Sequence, residues 1–233
     1  MKKLMLVSAF NPVSRLLPRV EPELKAKTVA FIPTASKGSL YSPIMGLAKH
    51  ALRRMDVSIY SLDIASASYG LIHDVIEASD IIYVGGGNSF LLLQEMRRSG
   101  ADTIITEAVT NGKPYIGESA GAVVAGPDIG YIRDMDDAKA APLLHDSRGL
   151  GLVDFRVVPH CHGPFLGRKA AKIARRYADA SDLRTITNRQ AVVVHADTDT
   201  GFVSGKAGAP SPTVRPLWCM AARTSPSAGD QAR

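Results

Sequence analysis

The 233 residues carry a net charge of +6 and 45% hydrophobic side chains, with no apolar run near the roughly 18 residues that cross a bilayer. That balance excludes wholesale disorder and a spanning helix, and the length suits one α/β domain with a large core. From Lys206 onward Lys206, Arg215, Arg223 and Arg233 face only Asp230, so half of the net charge lies in the tail. No dense basic stripe with interleaved aromatics is left for nucleic acid.

Lys2 and Lys3 precede a short apolar run, which mimics the start of a leader peptide. The run stops at Ser8 and is followed by Asn11-Pro12, so it reads better as a first buried strand. Short apolar runs then alternate with helix-period segments. Strands are predicted at Lys3–Val7, Thr28–Ile32, Val57–Leu62, Ile81–Val84 and Tyr115–Gly117. Helices are predicted near Tyr41–Arg54, Ile72–Ala78, Ser89–Arg98 and Thr103–Asn111. This alternation predicts a three-layer α/β fold with a mostly parallel central sheet, whose ligands gather beyond the carboxyl ends of the strands.

After residue 125 the pattern loosens. Asp128–Asp137 is expected to form a hairpin or an extended excursion. A strand at Phe155–Val158 ends in Pro159-His160-Cys161-His162, at the sheet edge where the Tyr115–Gly117 strand also emerges. A helix over Phe165–Ala178 and strands at Leu183–Ile186 and Ala191–His195 follow. Residues 1–205 are expected to form the folded domain. Residues 206–233 are rich in Gly, Ala, Pro and Ser and read as a disordered tail, with Leu217-Trp218-Cys219-Met220 as its docking point. Two cysteines, Cys161 and Cys219, imply no disulfide framework and make a reducing cytoplasm the expected location.

The segment Gly117-Glu118-Ser119-Ala120-Gly121 fits the G-x-S-x-G pattern of a nucleophile elbow between a strand and a helix. Small residues at −2 and +2 are needed there because strand and helix crowd together. A serine hydroxyl also needs a base within hydrogen-bond reach. His160 and His162 leave a strand end on the expected side of the sheet, whereas His50, His73, His145 and His195 have blander readings. His160-Cys161-His162 could hold a metal if the segment is extended, but no third ligand has suitable spacing, so no metal or cofactor is expected. The run Gly85-Gly86-Gly87 before Asn88-Ser89 lacks the Gly-x-Gly-x-x-Gly spacing of a nucleotide loop. Beside an elbow it offers a backbone N–H to an oxyanion.

Together, Val84-Gly-Gly-Gly-Asn-Ser-Phe-Leu-Leu-Leu93, Tyr115-Ile-Gly-Glu-Ser-Ala-Gly-Ala122 and Val158-Pro-His160 resemble peptidase E, the α-aspartyl dipeptidase family of serine peptidases with a class I glutamine-amidotransferase-like fold. Ile32–Ser36 and Ser61–Ile64 also fit, and the likeness runs from Lys2 to about Val194. The resemblance implies a cytoplasmic exopeptidase that removes N-terminal aspartate from dipeptides. Ser119 would be its nucleophile and His160 its base, with the amides of Gly87 and Ala120 as the oxyanion hole. Some relatives place Glu or Asp in the turn that here reads Thr187-Asn188-Arg189. Asn188 matches that position, with Asp182 and Asp197 as nearby substitutes. A cation for the aspartyl side chain is expected at Arg168, Lys169 or Arg133. Glu118 could attract the substrate α-amino group or act as an acceptor behind the reacting groups. The partner implied is a small peptide, met by a monomer or homodimer. A cyanophycinase-like peptidase and a silent binding module on the same scaffold are the competing readings.

Overall fold

The strand segments Leu4–Val7, Val29–Ile32 and Ile81–Val84 are apolar throughout, the mark of a sheet covered on both faces. In the computed structural model, which describes residues 1–36, 42–195 and 199–204, β1 (Lys3–Val7), β2 (Thr28–Ile32), β3 (Ser58–Ser61), β4 (Ile81–Val84) and β5 (Tyr115–Glu118) run parallel. The two last strands, β8 (Gln190–His195) and β9 (Asp199–Ser204), add antiparallel beyond β1. The sheet order is β3-β2-β4-β5-β1-β8-β9. β3, at the edge, is the one parallel strand with mostly exposed side chains.

Alternate residues of β1, β2, β4 and β5 feed two separate cores. Met5, Val7, Val29, Phe31, Ile81, Tyr83 and Ile116 pack with α1 (Ser42–Arg53) and the 3₁₀ segment Asn11–Arg19. Leu4, Leu6, Ala30, Ile32, Ile82, Val84 and Tyr115 pack on the other face. They meet α2 (Tyr69–Ala78), α3 (Ser89–Ser99), α4 (Ala101–Thr110) and α5 (Ala120–Val124). The helices begin and end where local chemistry dictates. The Asn88 side chain caps α3 by accepting from the N–H groups of Phe90 and Leu91, and Gly100 ends it at φ 77°.

Two expectations are corrected. The strand after the excursion, β6 (Arg156–Val158), does not join the central sheet. It pairs in parallel with β7 (Leu183–Thr185) to form a separate two-stranded sheet, followed by α6 (Gly167–Arg176). The excursion at Asp128–Asp137 is neither hairpin nor extended. It winds into a 3₁₀ turn, Gly130–Asp134, joined to the following loop by a single bridge between Asp128 and Arg148. The tail from residue 206 lies outside the described residues.

Candidate active site

β5 runs straight into α5 with only Ser119 between them, and the backbone there is forced to φ 52°, ψ −107°. A non-glycine residue in that region costs on the order of 1–3 kcal/mol and persists only where its surroundings over-determine it. Here they do. A side chain on Gly117 would place Cβ 2.6 Å from the Gly121 carbonyl oxygen, and one on Gly121 would lie 2.1 Å from that of Val84. The Tyr115 hydroxyl donates to Gly121 O at 2.7 Å, and Ser119 N–H to Val7 O at 2.8 Å. These contacts hold the hydroxyl at the carboxyl end of the sheet, where Ser119 is only partly buried.

The base arrives from the small sheet. Beyond β6 the chain turns sharply, with both His160 (φ 64°) and His162 (φ 59°) in the left-handed region. His160 Nε2 lies 2.8 Å from Ser119 Oγ, and His160 Nδ1 lies 2.9 Å from Asn188 Oδ1. Because that amide oxygen only accepts, Nδ1 carries the proton and Nε2 is free to receive the serine hydroxyl. Burial lowers the His160 pKa below the ordinary histidine value, opposed by the Asn188 bond and by the charge of Asp136. Burial thus favours the neutral imidazole, the form a general base needs.

The Gly85–Gly87 loop meets the serine side of this pair. Gly86 abuts the Ser119 side chain, where an added Cβ would lie 3.1 Å from Ser119 Cβ. Gly87 has φ 140°, and a side chain there would collide with Ala35 O at 2.1 Å, so only glycine fits. Among the described residues no acceptor takes the N–H of Gly87 or of Ala120. Both amides are uncommitted, Ala120 directly after Ser119 in the chain and Gly87 next to the glycine that abuts it.

Glu118 sits beneath the elbow as a buried acceptor. It is 2% exposed, and its carboxylate accepts from Phe10 N–H at 2.8 Å and from the Tyr83 hydroxyl at 2.6 Å. Tyr83 in turn stacks on Phe31 and meets Phe10 edge-on. Burial raises the Glu118 pKa, and the side chain braces the floor beneath the elbow with no surface left for a substrate amine.

The three candidate cations differ. Arg168, exposed in the first turn of α6, has no ion-pair partner among the described residues. Lys169 Nζ donates to Met135 O at 3.0 Å. Arg133 is exposed and lies over the Phe90 ring, 5.4 Å from its centroid, along a cleft that also includes Leu144 and His145. Asp182 is held by two bonds to Arg156 and does not serve His160; Asp197 lies outside the described residues. His160 and His162 flank a turn instead of an extended segment, and Cys161 between them is buried. Among the described residues, no three His, Cys, Asp or Glu side chains gather as a metal site.

Sequence reasoning missed two residues. Ser8, at the end of β1, accepts from His160 N–H at 2.9 Å and donates to Ile186 O at 3.1 Å, which ties the histidine turn to the central sheet. Asp136 accepts from both N–H and Oγ of Ser89, at 2.9 and 2.6 Å, beside the glycine loop. Both side chains reach partners distant in sequence, and only the position of Ser8 at a strand's carboxyl end could have signalled it.

A family model for peptidase family S51 matches residues 6–200. Over 194 residues the chain is 42% identical to an uncharacterized peptidase of Listeria monocytogenes, covering 83% of this chain and 95% of the relative. It is 39% identical to peptidase E of Haemophilus influenzae over 114 residues, 48% of this chain and 50% of that one. A crystal structure of a Listeria monocytogenes protein described as a candidate peptidase E superposes with a TM-score of 0.83 at 39% identity. That match covers 88% of this chain and 98% of the other.

Proposed function

We propose that this chain, which belongs to peptidase family S51, is a serine exopeptidase that hydrolyses dipeptides with an N-terminal aspartate. The observation that carries the reading is the 2.8 Å approach of His160 Nε2 to a serine hydroxyl held in an elbow. Ser119 Oγ attacks the scissile carbonyl as its proton passes to His160, and the carbonyl oxygen, now negative, meets the amides of Gly87 and Ala120. His160 then returns the proton to the departing amine. Water, activated by the same imidazole, releases aspartate from the acyl-enzyme.

Asn188 holds the tautomer without supplying charge, so the histidinium formed in each step has weaker support than a carboxylate would give. Preference for aspartate rests on the likeness to peptidase E and on a cation near the cleft. Arg168 is the candidate whose charge is least engaged. No helix among the described residues is long and apolar enough to cross a membrane.

The test is a dipeptide panel varied at the N-terminal residue, run on wild type, Ser119→Ala and His160→Ala. Cleavage of Asp-Leu that both substitutions abolish supports the proposal. Cleavage restricted to a branched β-Asp-Arg linkage would move the substrate to aspartate-backbone polymers. No Ser119-dependent turnover, with no labelling by a fluorophosphonate, would leave a binding module.

A further inference from the structure

In an N-terminal residue the ammonium nitrogen is two bonds from the carbonyl carbon that Ser119 would attack. An acceptor for that charge must therefore lie within a few ångström of the serine and the amides around it. Glu118 is sealed beneath the floor. Asp136 is the carboxylate whose charge bears on His160.

Four bonds place it. Asp136 Oδ2 receives Ser89 N–H and the Ser89 hydroxyl at the start of α3, directly after the Gly85–Gly87 loop. Asn88 Nδ2 donates to Asp137 O at 2.8 Å, and Lys169 Nζ to Met135 O at 3.0 Å. The Asp136–Asp137 segment is thus fastened to the start of α3, which follows the loop that abuts Ser119, while Met135 is tied to α6, and the Asp136 charge favours the protonated form of the His160 imidazole. Oδ1 accepts no hydrogen bond from any described residue. Lys169 lies close enough to interact through space, but its hydrogen bond goes to the backbone. A partly buried carboxylate with one oxygen unengaged is a site for a cation.

We propose that Asp136 Oδ1 binds the α-ammonium group of the substrate's N-terminal residue and so restricts the enzyme to peptides with a free amino terminus. The inference rests on the peptidase reading above and assigns its exopeptidase selectivity to a residue. It also resolves a conflict within the site. A bare carboxylate near the oxyanion amides would oppose the negative charge that forms there; a bound ammonium cancels it. A blocked peptide loses the contact and leaves the repulsion in place.

The experiment compares kcat/KM for an Asp-X dipeptide and its N-acetyl counterpart in wild type and Asp136→Asn, with fluorophosphonate labelling of Ser119 as the check on a folded site. Wild type should favour the free amine, and the substitution should narrow that preference by about 10- to 100-fold, the range for a hydrogen bond between charged groups. A preference that stays constant while both activities fall would overturn the proposal and make Asp136 a positioning residue for His160. Should the variant fail to fold, Ser119→Ala supplies a second readout. It should bind the dipeptide at least tenfold more tightly than the analogue with the amino group replaced by hydrogen, and equal affinity sinks the idea. If wild type cleaves free-amine dipeptides lacking aspartate, the substrate reading fails and the ratio still judges Asp136. If it cleaves blocked peptides alone, or none, Asp136 loses its role.

Discussion

His160 donates its Nδ1 proton to the side-chain oxygen of Asn188 at 2.9 Å, so a neutral amide occupies the place where a carboxylate would steady the imidazolium. Replacing Asn188 with Asp would keep an acceptor and add a charge, raising the His160 pKa. The acidic limb of kcat/KM should move upward in pH and kcat should rise by about tenfold. Asn188→Ala should lower kcat by about 100-fold with KM little changed, since the ring loses its tether. A limb that does not move in Asn188→Asp would mean the contact does not govern the base.

In the wild type the limb should fall below the ordinary histidine value of about 6.5. Burial disfavours the charged ring, so a lower pH is needed to protonate it, and the active neutral form persists further into acid. A pH profile of kcat/KM on one dipeptide checks this. A midpoint at or above 6.5 would contradict the desolvated setting.

Ser8→Ala should separate positioning from chemistry. The hydroxyl bridges His160 N–H and Ile186 O, and its loss leaves both without that partner. Denaturant unfolding should show a loss of about 1–2 kcal/mol. The turn would also lose its link to the central sheet, so kcat should drop by about tenfold with KM within a factor of two. An unchanged kcat would show that the β6–β7 sheet holds the histidine unaided.

Much of this was legible because the signals are local. β1, β2 and β4 have the expected bounds, each being an unbroken apolar run ended by turn residues. The elbow was readable because crowding leaves no alternative to small residues on either side of Ser119. The parity of β5 also held unused information: Glu118 lies two residues beyond buried Ile116 and therefore shares its face, toward Tyr83 and Phe10. The β6–β7 pair was illegible as a separate sheet, because three-residue strands carry no period. Asp136 was illegible for a different reason. Its partner Ser89 lies 47 positions away, and nothing local distinguishes it from the neighbouring Asp134 or Asp137.

Glu118 tests the reading of the floor. Glu118→Gln keeps an acceptor for Phe10 N–H and a polar partner for Tyr83, so stability should change by no more than about 1 kcal/mol. Glu118→Ala leaves both groups buried without that partner and should cost about 2–3 kcal/mol. Selectivity for a free amino terminus should persist in Glu118→Gln. Its disappearance there would return the substrate amine to Glu118.

Gly87→Ala is the sharpest test of the loop. The new methyl would lie 2.1 Å from Ala35 O, and φ 140° is closed to any side chain, so the backbone must move. Such a shift takes the Gly87 amide out of register with Ser119, and loss of one oxyanion donor lowers kcat by about 100- to 1,000-fold. Gly151→Ala is the control: its φ is also positive, at 60°, but nothing stands within 4 Å of an added Cβ. It should lose about 1 kcal/mol of stability and little activity. Equal damage from both would place the effect in general backbone strain and remove Gly87 from the oxyanion hole.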